Sequence, residues 1–242
     1  MDIPWIGLAL GVVTAIANLC GGVAVVRRPW HPLYLRSFIA LGAGFMLAAS
    51  LLEMLPESYA LLGSRTAAWM LSGYLLIHFF EHTLSGHFHF GEEIHADEVA
   101  GARRSQTVLI GLMIHAFVDG ISIASGFLVS GWLGWIVFLA VFLHKMPEGF
   151  TVSSVMIASG RSPRVALLSA ALLGLATIAG VLVMAPLRGQ VAYTLPISAG
   201  VTLYVAASDL IPLVNQEPGI RMALLVFVGV VLPPSLKWIF SL

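Results

Sequence analysis

Residues 115–150 read HAFVDGISIASGFLVSGWLGWIVFLAVFLHKMPEGF, two apolar runs joined by a few small residues. Each run holds a histidine four positions before a carboxylate: His115 with Asp119, and His144 with Glu148. Positions i and i+4 share one face of a helix, so each pair projects together. Ionisable groups at membrane depth are expensive and persist where they serve a function or find partners. The linker near 130–134 is short, which makes the two helices antiparallel neighbours whose pairs can meet mid-membrane. The repeated pairing predicts one shared site for a divalent cation. The plainer alternative is a hydrogen-bonded polar network, as a lone buried histidine would suggest.

The rest of the chain supplies the membrane setting. Of 242 residues, 59% are hydrophobic and 10% charged, and the mean hydropathy is +0.95. A soluble domain carries charge on about a quarter of its residues. Apolar runs bounded by Pro, Gly and charge fall near 5–26, 35–56, 66–81, 106–129, 132–158, 163–186, 191–213 and 220–241. A hydrocarbon core about 30 Å thick takes roughly 20 residues per helical crossing, so these runs predict eight transmembrane helices in a single domain over 1–242. The first run lacks a basic leader and a small-residue cleavage site and is read as a retained helix. Equal numbers of acidic and basic residues argue against a nucleic-acid partner. The single cysteine, Cys20, leaves no internal disulfide and no thiolate metal cluster.

Positive charge sets the orientation. With the N-terminus outside, eight arginines (27, 28, 36, 103, 104, 161, 164 and 221) face the cytoplasm. Arg65, Arg188 and Lys237 face out, and Lys145 falls inside a helix. Both termini are therefore expected outside the plasma or inner membrane. The longest loop, 82–105, is then cytoplasmic, and it carries His82, His87, His89 and His95 among several acids. Such a tract either binds metal loosely or is a solvated connection.

Two imidazoles and two carboxylates suit Zn²⁺, and also Fe²⁺, Mn²⁺, Co²⁺ or Cd²⁺. Mg²⁺ and Ca²⁺ prefer oxygen-only shells. Cu(I) would want sulfur, for which only Met46 and Met146 are placed. Pro147 lacks a backbone donor and opposes the carbonyl of Leu143, which predicts a loosened helix beside the site. Gly120 and Gly149 follow the two carboxylates and allow a neighbouring helix to approach closely. Glu53 and Glu57, near the outer end of the second helix, can gather cations at an entrance. Ser208 and Asp209, near the inner end of the seventh, mark an exit, with Glu81 and His82 on the same side. Ligating histidines must be deprotonated, so binding should weaken as pH falls.

HAFVDGISIASGF (115–127) and HKMPEGF (144–150) resemble the fourth- and fifth-helix signatures of the Zrt/Irt-like (ZIP) metal transporters. GAGFMLAASLLEMLPES (42–58) and SAGVTLYVAASDLIP (198–212) are similar to that family's second and seventh helices. The resemblance spans nearly the whole chain. It implies an all-α polytopic bundle in which helices 1–3 and 6–8 are inverted halves around helices 4 and 5. It also implies uptake of divalent metal into the cytoplasm by alternating access, and Met46 at a position that touches the metal. Many members hold two metal ions, and here the second-ion positions depart from the pattern: Ala116, Lys145 and Thr177 stand where Asn, Asp and Glu can occur. The expectation is therefore a single ion at His115, Asp119, His144 and Glu148. Lys145 either substitutes for the second ion as a tethered cation or snorkels to an interface.

No P-loop is present, no catalytic cofactor is expected, and the chain is read as a carrier rather than an enzyme. The alternatives are an intramembrane zinc-dependent hydrolase, a haem-binding redox protein with His115 and His144 as axial ligands, and a receptor or structural membrane protein. Partners are the metal and the bilayer; family members can form dimers, and the small residues on these helices only permit a homodimer.

Overall fold

In the bilayer core, backbone groups can be satisfied only within the chain, and this sequence answers with helices. The computed structural model describes residues 3–27, 32–85, 102–217 and 219–239, and no strand occurs among them. The helices are α1 Ile3–Arg27, α2 Pro32–Ala48, α3 Leu55–Leu62, α4 Thr66–Phe80 and α5 Ala102–Val129. They continue with α6 Gly131–Ala158, α7 Pro163–Val183, α8 Val191–Tyr204, α9 Ile211–Asn215 and α10 Ile220–Ile239. Among the described residues, seven helical stretches are long and apolar enough to cross a membrane. Large side chains such as Trp5, Ile16, Leu168, Phe227 and Trp238 point outward, as a lipid-facing surface allows.

The second of these stretches, Leu33–Thr83, is 51 residues long and is not straight. Gly63 takes a positive φ of 58°, open to glycine without steric cost. Beside it the Thr66 hydroxyl donates to the Ser58 carbonyl at 2.9 Å. Eight residues of straight helix would separate those groups by about 12 Å. The chain therefore turns back between α3 and α4.

The helices sort into two groups. In the first, α1 lies along α6 and α7, and α5 lies along the same two helices. In the second, α2 lies along α10, and α4 along α8. Backbone-to-backbone approaches follow the same division. A Cβ on Gly149 (α6) would stand 1.9 Å from the Asn18 carbonyl oxygen on α1, and one on Gly120 (α5) 2.0 Å from that of Thr177 on α7. In the second group a Cβ on Gly44 would meet the Val226 carbonyl at 2.0 Å, and one on Gly73 that of Ile197 at 2.1 Å. Among the described residues, every such approach under 3.4 Å stays inside one group. Across the boundary, Gly42 meets Leu143 at an ordinary 3.6 Å. Small residues let membrane helices interlock where apolar attraction between them is weak, so each group is interlocked and the boundary is smoother.

The second group contains a repeated device. Ala43-Gly44 is followed nine residues after the glycine by Glu53 and then by Pro56. Ala199-Gly200 is followed at the same spacing by Asp209 and Pro212. In both places the helix widens to a π-helical segment, Ala49–Met54 and Val205–Leu210. Proline has no N–H to give to the preceding turn, and a wide turn absorbs the loss. Both segments carry a buried carboxylate, Glu53 and Asp209.

Adding a side chain at the interlocked positions should be costly. Gly149→Val forces backbone apart and is expected to lower stability by about 3 kcal/mol or prevent folding. Gly189→Ala, with nothing within 4 Å, should change it by less than about 0.5 kcal/mol. Thermal unfolding of the purified protein in detergent makes the comparison.

Candidate metal centre

Ser130 alone separates α5 from α6. Its backbone is extended and its side chain accepts a hydrogen bond from the Leu133 amide at 3.1 Å, capping α6. The turn is as short as the sequence predicts, and it makes the two helices antiparallel. His115 lies fifteen residues before Ser130 and His144 fourteen after it. At 1.5 Å per residue both stand about 21–22 Å from the turn. Equal depth on adjacent helices brings the two His/carboxylate pairs together. α6 runs unbroken through Pro147, and the Leu143 carbonyl that the proline cannot serve lies against Gly42 of the second group.

One ligand atom from each of His115, Asp119, His144 and Glu148 can be chosen so that all four lie within 4.8 Å of one another, and all four residues are buried. His144 Nδ1 donates to the Ala140 carbonyl at 2.9 Å. That bond fixes the tautomer and leaves the Nε2 lone pair facing the other ligands. His144 Nε2 is 3.2 Å from Asp119 Oδ2 and 3.4 Å from His115 Nε2; His115 Nε2 is 3.2 Å from the same Oδ2. A tetrahedral ion with bonds of 2.0–2.1 Å has ligand–ligand edges of about 3.3–3.4 Å. The three atoms thus form a triangle of the size of one face of such a shell. The Nε2 lone pair and the carboxylate need a positive centre between them.

Lys145 supplies one fixed charge. Its ammonium is 2.6 Å from Asp119 Oδ2 and also bonds Glu148 Oε2, and its side chain is fully buried. The other oxygen of Glu148, Oε1, is buried without a hydrogen-bond partner. With neutral imidazoles, two carboxylates and one ammonium leave a net charge of minus one. Ala116 is buried, and the Thr177 hydroxyl donates to its own helix at Leu173, 3.2 Å away. Neither offers a charged ligand beside Lys145.

The remaining residues singled out in the sequence are not among these four ionisable members. Met46 is buried in the apolar core between the groups. Glu53 is buried at the far end of the first π segment, where Trp132 and Lys237 donate to it. Glu57 is partly buried one turn beyond. Ser208 shares a hydrogen bond with Tyr74 at 2.8 Å. Asp209 is buried, and neither of its oxygens meets a partner in hydrogen-bond geometry, although Glu81 is near enough to act on it electrostatically. His82 is exposed, with Nδ1 donating to the His78 carbonyl at 3.0 Å. His87, His89 and His95 lie outside the described residues.

Trp132, Lys237, Tyr74 and Asn18 did not stand out in the sequence. The Asn18 amide is buried without a hydrogen bond on either atom, in the α1 turn that touches Gly149. A polar residue in the middle of the first apolar run is the signal that could have found it.

Comparison with known proteins gives a consistent result. The profile described as ZIP Zinc transporter matches residues 89–236. The chain is 31% identical to zinc transporter ZIP4 of Homo sapiens over 108 residues, 43% of this chain and 17% of that protein. It is 29% identical to zinc transporter zipt-7.1 of Caenorhabditis briggsae, over 43% of this chain and 28% of that one. With zinc transporter ZIP13 of Pongo abelii the identity is 25% over 84% of this chain and 66% of the relative. The matches thus span less than two thirds of these relatives' own lengths.

Removing the ammonium alone should expose the cost of the buried carboxylates. Lys145→Met leaves Asp119 and Glu148 facing one another and is expected to cost the metal-free protein about 3–5 kcal/mol. Thermal unfolding in detergent with a chelator reads this; a variant as stable as the parent would show that the ammonium contributes nothing.

Proposed function

The chain belongs to the ZIP zinc transporter family, and on that premise we propose that it carries divalent transition-metal cations, zinc first, across the membrane into the cytoplasm. The observation that carries this reading is the triangle of His115 Nε2, His144 Nε2 and Asp119 Oδ2, with edges of 3.2–3.4 Å. An unpartnered Glu148 Oε1 nearby provides a fourth donor. The mixed nitrogen and oxygen set favours zinc, iron, manganese, cobalt or cadmium over magnesium or calcium. This family is one of carriers, so the hydrolase reading is set aside. No observation favours haem, since carboxylates occupy the space beside both imidazoles.

The site binds one ion. Asp119 Oδ2 meets both imidazoles and the Lys145 ammonium, and the same ammonium bonds Glu148 Oε2. The ammonium thus stands where a second cation would bridge the same two carboxylates. One divalent ion changes the net charge of the cluster from minus one to plus one. A second would have to expel the ammonium.

Alternating access follows from the two groups of helices. All four proposed ligands ride on α5 and α6, inside the interlocked first group, and the absence of close glycine approaches across the boundary among the described residues supports sliding there. Movement of the first group against the second would carry an intact shell from one side to the other. In this reading the stretch 33–83 crosses the membrane twice, giving eight crossings with both termini outside in the plasma or inner membrane.

Proteoliposomes loaded with a zinc-sensitive dye test the reading. The wild type should take up zinc, and His115→Ala and Glu148→Ala should each reduce uptake at least about a hundredfold, as loss of a metal-site partner does. Uptake unchanged in both variants would reject the assignment. Metal analysis of the purified protein should find one zinc per chain, rising toward two in Lys145→Asp; two in the wild type would sink the single-ion site.

A further inference from the structure

Glu53 is buried to 4% exposure in the π segment of the second group, and a carboxylate in that setting needs donors or a cation. Its Oε2 atom receives both: Trp132 Nε1 donates at 2.9 Å and Lys237 Nζ at 3.1 Å. The two donors come from different groups. Lys237 ends α10, which lies along α2 in the group of Glu53 itself. Trp132 is the second residue of α6, the helix that brings His144 and Glu148 to the metal centre. One carboxylate oxygen therefore ties the ion-carrying group to the other group. Near the same end, Ser125 of α5 and Thr194 of α8 share a hydrogen bond of 3.0 Å across the same boundary.

The tie is built to be exchanged. The Lys237 side chain is 44% exposed, whereas Glu53 is buried. The ammonium thus reaches the carboxylate from the outside of the bundle, at the end of α10, where a lysine head can swing to the headgroup layer at little cost. An oxygen with both acceptor directions filled can take a metal ion only by releasing a donor.

We propose that Glu53, Trp132 and Lys237 form a latch that closes one mouth of the ion path, opened when a divalent cation replaces the Lys237 ammonium on Glu53. This rests on the carrier reading, and by the distribution of positive charge the mouth is the outer one. The bond that joins the two groups is the one from Trp132, and a divalent charge seated on Oε2 repels the partly positive indole N–H, so the arriving ion itself unties the two groups.

The test uses the full chain in nanodiscs with Cys20→Ser, since Cys20 is exposed, and Met46→Cys as reporter. Met46 is 1% exposed, about two turns deeper than Glu53. A charged, membrane-impermeant methanethiosulfonate reagent should label this parent slowly. Trp132→Phe and Lys237→Met should each label about tenfold faster, as expected for loss of a hydrogen bond to a charged group. Lys237→Arg should keep the slow rate. Parental rates in Trp132→Phe or in Lys237→Met, or fast labelling in Lys237→Arg, would overturn the latch. In proteoliposomes without the reporter, Lys237→Met should lower the zinc concentration for half-maximal uptake several-fold, and an unchanged value would overturn the exchange step. If the wild type takes up no metal, the carrier reading fails instead, while the labelling arms still decide the latch.

Discussion

Asp119 Oδ2 lies against two imidazole nitrogens and accepts from an ammonium in a place where water cannot help, and the surrounding architecture is what holds those partners still. Burying an ion costs several kcal/mol even after relaxation, and the attraction of partners offsets this only with good geometry. Geometry here begins with Ser130, whose single-residue turn and cap set the register of α5 against α6. The Ala140 carbonyl then orients the His144 ring. Contacts of α1 against Gly149 and of α7 against Gly120 fix the two carboxylate-bearing turns from outside. Each element is ordinary; together they leave the acceptor cluster little freedom to collapse around its own charge.

The division into two helix groups separates tasks. The His/carboxylate cluster and the Lys145 ammonium lie in one group, while the paired π segments with Glu53 and Asp209 lie in the other. In the proposed carrier, carboxylates on the second group would meet an ion as it arrives or leaves, and those on the first would accompany it. Their environments differ accordingly. Glu53 is engaged by donors from both groups, while Asp209 sits beside another acid, Glu81.

The sequence made the four-residue cluster legible because the information is local. His115, Asp119, His144 and Glu148 lie within 34 residues, on two helices whose short linker leaves only one way to pair. Gly120 and Gly149 were legible as sites of close approach for the same reason, although which helix would approach was not. The partners of Glu53 were hidden. Trp132 and Lys237 stand 79 and 184 residues away from it, and no periodicity links such distances. An interfacial tryptophan or a terminal lysine in a membrane protein ordinarily reads as an anchor in the headgroup layer. The wide turns were hidden too, because an apolar run reads the same whether its helix is α or π. Only the matched spacing of glycine, acid and proline in residues 44–56 and 200–212 hints at them, and that pattern is plain once both segments are seen.

Those wide turns set how this protein can change in length. In an α-helix each residue advances the chain by about 100° around the axis, and a π turn takes in one residue more than an α turn. Deleting a single residue within 49–54 could let the helix close to α geometry with its two ends still aimed as before. The face bearing the acid would be lost, but not the fold. An insertion has no such outlet and must swing everything beyond it, Pro56 and the turn at Gly63 included. Lineages of this protein should therefore shorten at these segments more readily than they lengthen, and a shortened one would keep its bundle while losing the buried carboxylate from that face.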